Sequence, residues 1–194
     1  MGDTRRFKKA FAKPFKPWDD GRITEEKGLL REYGLKNKKE IWSSTTMLRK
    51  FKAQAKKLIV AKGAQADKER ALFLAKLSGL GLASQNSSLD EILGLNINNL
   101  LNRRLQTLVH DKKMARTIKQ ARQFIVQEHI LVNGKKIAVP SYLVRKNEED
   151  TITFSPESAL SSEIHPERVQ KQQVVPEEPK EADAAAEPAK NAEA

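Results

Sequence analysis

Residues 102–139 read NRRLQTLVHDKKMARTIKQARQFIVQEHILVNGKKIAV, and the pattern continues to Phe154. Two short helical periodicities come first. Asn102 is placed to cap the first of them, whose apolar side is Leu105, Leu108 and Val109. Arg103 and Arg104 then fall in its first turn. Cations are disfavoured there, because a helix N-terminus already carries the positive end of the backbone dipole, so the pair makes sense beside an anion. Met114 to Arg116 lead into a second helix. Thr117 and Gln120 form its capping box, and Ile118, Ala121, Phe124 or Ile125, and Val126 form its buried side. Ile130, Leu131 and Val132 are β-prone. Asn133-Gly134 behind them signals a hairpin, since a type I′ turn needs positive φ at both central residues. Lys136 to Val139 returns, and Thr151 to Phe154 offers a third strand.

Upstream, Ser88 and Glu91 form a capping box, followed by Ile92, Leu93, Leu95, Ile97, Leu100 and Leu101. Asp67 is placed to cap a helix carrying Ala71, Leu72, Leu74, Ala75 and Leu77. Gly79-Leu80-Gly81-Leu82 breaks it, and this glycine pair lacks the spacing and the Lys-Ser/Thr of a phosphate loop. From Thr46 to about Lys62 a longer pattern sets Met47, Phe51, Ala55, Leu58 and Ile59 on one stripe. Arg49, Lys50, Lys52, Lys56, Lys57 and Lys62 cover the rest. Almost no acid is interleaved, so i,i+4 pairing does not account for these cations, and the helix reads as phosphate-facing rather than merely solvated. Residues 46–101 thus read as a small all-helical unit. Glu25 to Tyr33 is a short helix stopped by Gly34, and Lys36 to Glu40 is a charged connection.

Residues 1–24 interleave Arg5, Arg6, Lys8, Lys9, Lys13, Lys16 and Arg22 with Phe7, Phe11, Phe15 and Trp18, and Pro14 and Pro17 discourage a long helix. A disordered basic tail is one reading. The other is an arm lying along RNA, with cations on phosphates and rings against bases or against the body. Four large aromatics favour the arm, because solvated tails are poor in them.

The net charge of +11 over 194 residues hides an asymmetry. Residues 1–154 hold 32 Lys and Arg against 16 Asp and Glu, whereas residues 155–194 hold 4 against 9. So basic a body repels itself unless it meets a polyanion. Nucleic acid fits better than membrane, since no apolar run approaches the roughly 20 residues of a span. The charged, proline-broken N-terminus has no signal-peptide pattern. The absence of cysteine excludes disulfides and thiolate metal sites. A cytoplasmic protein with no metal, no cofactor, no membrane and no small-molecule substrate is expected. Residues 172–194 are Ala, Glu, Pro and Lys without periodicity and are expected to be disordered.

The segments RRLQTLV, ARTIKQARQFIVQEHILVNGKKI and PSYLV resemble the S-four RNA-binding domain, over about residues 103–154. GLKNKKEIW at 34–42 and the helix over 47–62 extend the likeness to the S-four family of small-subunit ribosomal proteins in its archaeal form, over roughly residues 1–168. The resemblance implies an α+β fold: an all-helical domain at 46–101, then two helices on a small twisted sheet at 102–168. A basic arm at 1–45 and a disordered acidic tail at 169–194 flank them. It also implies binding to the 5′ domain of small-subunit ribosomal RNA early in assembly. Neighbouring small-subunit proteins near the decoding region and an influence on translational accuracy go with it. The N-terminal cysteine cluster of many bacterial members is missing, so no zinc is carried over. Asp111-Lys112-Lys113 stands where aromatic and glycine residues are more usual.

Folded RNA is read by shape, through phosphates and 2′-hydroxyls. Arg103, Arg104, Arg116, Lys119 and Arg122 are expected to form one cationic patch, extended by Asn133, Lys135 and Lys136 at the hairpin tip. His129 is either a structural residue beside the hairpin or, by family position, an RNA contact. Arg49, Lys50, Lys52, Lys56 and Lys57 form a second cationic surface, and Arg5, Arg6, Lys8 and Lys9 a third on the arm. Replacing Arg103 and Arg104 by glutamate is expected to abolish specific RNA binding with the fold intact. Two other classes share the small domain. RNA-modifying enzymes and tyrosyl-tRNA synthetases need a separate catalytic domain, and residues 46–101 offer no nucleotide loop, paired carboxylates or activated nucleophile. A free RNA chaperone would lack the arm and the helical unit.

Overall fold

Helix α2 (Lys38–Val60) is the spine of the N-terminal half. The computed structural model describes residues 9–84, 87–162 and 165–167. Arg5, Arg6, Lys8 and the acidic tail at 169–194 lie outside the described residues. The buried stripe of α2 is Ile41, Ser44, Leu48, Phe51, Ala55 and Leu58, spaced alternately by three and four. This corrects the expected stripe, because Met47 and Ile59 are exposed and Leu48 takes the inward place. The helix also begins eight residues before Thr46. It thus takes in part of the expected charged connection at Lys36 to Glu40, and the hydroxyls of Ser44, Thr45 and Thr46 donate to the carbonyls of Glu40, Ile41 and Trp42 at 3.1, 2.9 and 2.7 Å. Such back-bonding satisfies the hydroxyls inside a helix and lets the pattern run through them.

Four helices pack on this spine: α1 (Asp20–Glu32), α3 (Ala64–Gly79), α4 (Leu89–Leu93) and α5 (Ile97–Asn102). Phe51, Leu58, Phe73, Leu77, Ile92 and Leu100 meet in the core that α2 shares with α3, α4 and α5, whereas α1 packs through Leu29 and Leu30 in a second cluster with Tyr33, Leu35, Ile41 and Leu101. Helix α3 starts at Ala64 behind Gly63, so Asp67 sits inside the first turn rather than at the cap. Its carboxylate pairs with Arg70 at 2.8 Å, and Arg70 reaches the carbonyls of Leu58 and Ala61 at the end of α2. A cation there complements the negative pole of the helix. Leu72 is exposed and Phe73 is buried in its stead. Ser88 caps α4, accepting from the Glu91 N–H at 3.3 Å.

The second half is a helical pair on a small sheet. Helices α6 (Leu105–Asp111) and α7 (Ile118–Val126) enclose a core with strands β1 (Ile130–Val132), β2 (Lys135–Lys136) and β3 (Thr153–Phe154). The sheet is antiparallel in the order β2-β1-β3. Asn133 and Gly134 take φ of +51° and +74°, the type I′ signature. Thr117 caps α7 by accepting from Gln120 N–H, and the Gln120 side chain answers at Arg116 N–H rather than at Thr117. Phe124 and Ile125 are both buried, whereas Val126 is exposed, because a nine-residue helix presents one stripe to the core and Val126 falls outside it. Asn102 is the last residue of α5 rather than a cap. Arg104 takes the N-cap position of α6, and Arg103 lies between the helices.

Four helices end in the same way, with a left-handed residue and a bond back across five residues. Gly34 and Gly81 serve α1 and α3, where Leu35 N–H reaches Leu30 and Leu82 N–H reaches Leu77. Lys113 (φ +56°) and Glu128 (φ +61°) fill the same role after α6 and α7. A side chain carries a steric cost in that conformation that glycine avoids. Lys113→Gly is therefore expected to stabilise the chain by about 0.5–1 kcal/mol, read as a higher urea midpoint.

Candidate nucleic-acid interface

The basic residues of this chain divide into two kinds once the tertiary contacts are known. One kind is tied to acids inside the molecule. Arg104 is 3% exposed, and its guanidinium donates to Glu40 Oε2 at 2.6 Å. Arg122, half-buried on α7, reaches Glu40 Oε1 at 2.9 Å and Oε2 at 3.3 Å. One carboxylate of α2 thus joins α6 and α7. Gln106 completes the seam, donating to the carbonyls of Tyr33, Gly34 and Ile118 at 3.3, 3.2 and 3.1 Å. Burial pushes the Glu40 carboxyl up, but the hydrogen bonds from Arg122 and Arg104 outweigh it and hold the group below its ordinary value.

Arg103 faces the other way. It pairs with Glu149 at 2.9 Å and donates to the Val144 carbonyl at 3.2 Å, packing beside Gly81. His129 Nδ1 lies 2.9 Å from Ser158 Oγ, and its ring stands edge-on to Phe124. Asn133 Oδ1 accepts from the Thr151 hydroxyl at 2.7 Å, which closes the hairpin on the turn before β3. Lys136 is exposed and pairs with Glu157. The expected patch of five cations on α6 and α7 is therefore split. Arg104 and Arg122 converge on Glu40, Arg103 sits at Glu149, and Arg116 and Lys119 stay on the surface. Arg116 donates to the Pro166 carbonyl.

The other kind of cation is free. Arg49, Lys50, Lys56 and Lys57 are exposed and Lys52 is half-buried. Among the described residues none of them enters an ion pair. At 100° per residue they occupy the arc of α2 opposite its buried stripe, with Lys52 at the border. Lys9, Lys119 and Lys135 are exposed as well. Phosphate contacts need this arrangement: cations at the surface, unneutralised, on rigid backbone.

Glu26 was missed in the sequence. It is a buried acid on α1 that pairs with Lys38 at 3.2 Å and with Arg22, and it accepts from Trp42 Nε1 at 2.9 Å. Burial raises its carboxyl, and these donors together bring it below its ordinary value. Its i,i+4 spacing from Arg22 was the available signal. Among the described residues no three His, Cys, Asp or Glu side chains cluster as metal ligands, and no helix is long and apolar enough to cross a membrane.

A family model described as the S4 domain matches residues 103–150. The small ribosomal subunit protein uS4 of Methanococcus aeolicus is 52% identical over 169 residues, covering 87% of this chain and 96% of that protein. Its namesake from Nanoarchaeum equitans is 48% identical over 157 residues, covering 80% and 87%. The one from Picrophilus torridus is 43% identical over 173 residues, covering 88% and 94%. The similarity takes in the helical half as well as the S4 domain, and at that identity and coverage the chain belongs to the uS4 family of small ribosomal subunit proteins.

Proposed function

We propose that this chain is a structural, non-enzymatic constituent of the small ribosomal subunit that binds small-subunit ribosomal RNA. The observation that carries the reading is the cationic arc of α2, which enters no ion pair among the described residues, on a chain whose relatives bear the name uS4 over nearly their whole length. The RNA-facing set is Lys9, Arg49, Lys50, Lys52, Lys56, Lys57, Arg116, Lys119 and Lys135, together with Arg5, Arg6 and Lys8, while Lys136 is held by Glu157. Arg103, Arg104, Arg122 and His129 act beneath that surface, and Asn133 ties the exposed hairpin tip to Thr151, as braces that fix its shape. Helices α6 and α7 then present Arg116 and Lys119 on a scaffold locked to α2 through Glu40. Folded RNA is recognised by the spacing of its phosphates, so a rigid scaffold is what discrimination requires.

The domain division at 46–101 and 102–168, contact with the 5′ domain early in assembly, protein neighbours near the decoding region and a cytoplasmic, ribosome-bound location belong to the same proposal. The family resemblance supports them. The test is sedimentation of the chain with small subunits in high salt. Nearly all of it is expected to travel with the subunit, and recovery mainly as free protein would overturn the reading in favour of a free RNA-binding factor.

A further inference from the structure

The arm separates its aromatic residues into two roles. Phe11 packs on Trp42 with ring centroids 6.0 Å apart, and the Ala12 N–H donates to Thr46 Oγ1 at 3.0 Å. Four residues on, Arg22 Nη2 holds the carbonyls of Lys16 and Pro17 at 3.1 and 2.7 Å, while its other nitrogen pairs with Glu26. The segment is thus pinned to the body at two places. Phe15 lies between the pins and Trp18 just beyond the second, and they are 98% and 89% exposed. Rings of this size usually bury much of their area, so two of them held outward on an anchored segment are set for a partner.

The chemistry around them selects that partner. From Thr4 to Trp18 the sequence has no Asp or Glu, and Lys13 and Lys16 are exposed beside the rings. An apolar protein surface has no use for those cations. A membrane-surface anchor is a helix with one apolar face, and this segment is non-helical and carries Pro14 and Pro17. Alternating cations and exposed rings match single-stranded nucleic acid, where lysines take phosphates and rings take the faces of unpaired bases.

We propose that Phe15 and Trp18 form a stacking platform for unpaired bases of RNA, with Lys13 and Lys16 on the flanking phosphates and Phe11 and Arg22 as its anchors. The platform rests on the RNA-binding reading above. Because its ends are already pinned, little ordering is needed on binding.

The test uses the full chain and small-subunit ribosomal RNA over a salt series. Phe15→Ala with Trp18→Ala is expected to weaken binding about 10- to 100-fold without changing the salt slope, because stacking releases no counterions. Trp18→Phe keeps a ring and is expected to remain within about threefold of the parent. A single-stranded oligouridylate should quench the Trp18 fluorescence, with the signal lost in Trp18→Phe, and a duplex of equal charge should not. Unchanged affinity in the double alanine variant, or equal quenching by the duplex, would overturn the platform and leave RNA binding standing. A double alanine variant that binds RNA normally but fails to join small subunits would make the rings a protein contact, which also overturns it. Failure of the parent chain to bind the RNA at all would sink the underlying reading instead.

Discussion

Glu40→Ala is expected to destabilise the chain by about 3–5 kcal/mol, the usual consequence of stranding a buried charge. Arg104 is 3% exposed, and among the described residues Glu40 is the one acid paired with it. Its Nε is buried with no hydrogen-bond partner of its own among those residues. Removing the carboxylate leaves that guanidinium without compensation and frees Arg122 from α2. Urea unfolding followed by circular dichroism reads the loss. A change below about 1 kcal/mol would mean that Arg104 reaches water on relaxing, as exposed pairs do. Glu40→Ala combined with Arg104→Met should recover much of the loss, since replacing the whole buried pair by apolar groups is often neutral.

The same pair sets an acid dependence. The folded Glu40 carboxyl lies below its ordinary value, with burial opposing and the two arginines prevailing. Its contribution is therefore complete above the unfolded-state value and drains away as pH falls through the folded one. Glu26 behaves alike. Glu40→Gln should flatten the acid limb of stability without abolishing it, because Glu26 remains. This geometry also changes the meaning of a charge reversal at Arg103 and Arg104. Glutamate at residue 104 would face Glu40 in a buried site, so the double reversal is expected to unfold the chain. Loss of RNA binding in that variant would report the fold and not a contact.

Removing the cationic arc of α2 has the opposite profile. Arg49→Ala, Lys50→Ala, Lys56→Ala and Lys57→Ala together should leave stability within about 0.5 kcal/mol per site, since all four side chains are exposed and, among the described residues, enter no ion pair. Affinity for small-subunit ribosomal RNA should fall steeply. Each phosphate contact contributes on the order of 0.7–0.9 to the slope of log affinity against log salt. Four lost contacts reduce that slope by about 3, which is about three decades of affinity at 0.1 M salt if affinity near 1 M is unchanged. Filter binding between 50 and 200 mM salt, settings chosen about where counterion release dominates, measures it directly. An unchanged slope would move recognition from α2 to the S4 domain, with Arg116, Lys119 and Lys135.

Local signals were legible in the sequence because they act over a few residues. Asn133-Gly134 dictates its turn by backbone sterics alone, and Ser88 and Thr117 cap their helices through N–H groups three positions away. The α+β class and the motifs of the S4 domain could be read for the same reason. Boundaries failed where polar residues run inside a helix: α2 begins at Lys38, within the expected charged connection, and Ser44, Thr45 and Thr46 satisfy their hydroxyls by bonding back within it. The fate of the charges was beyond sequence altogether. Arg104 and Arg122 resemble Lys119 and Arg116 in type and spacing, but Glu40 stands 64 and 82 residues away from them in the chain. Which cations are spent inside the molecule and which remain for a polyanion depends on desolvation and pairing across that distance. The sequence by itself determined that the body is basic and what class of partner it needs. Only the tertiary structure decided which face is offered, because a charge is available to RNA only where no nearer carboxylate holds it.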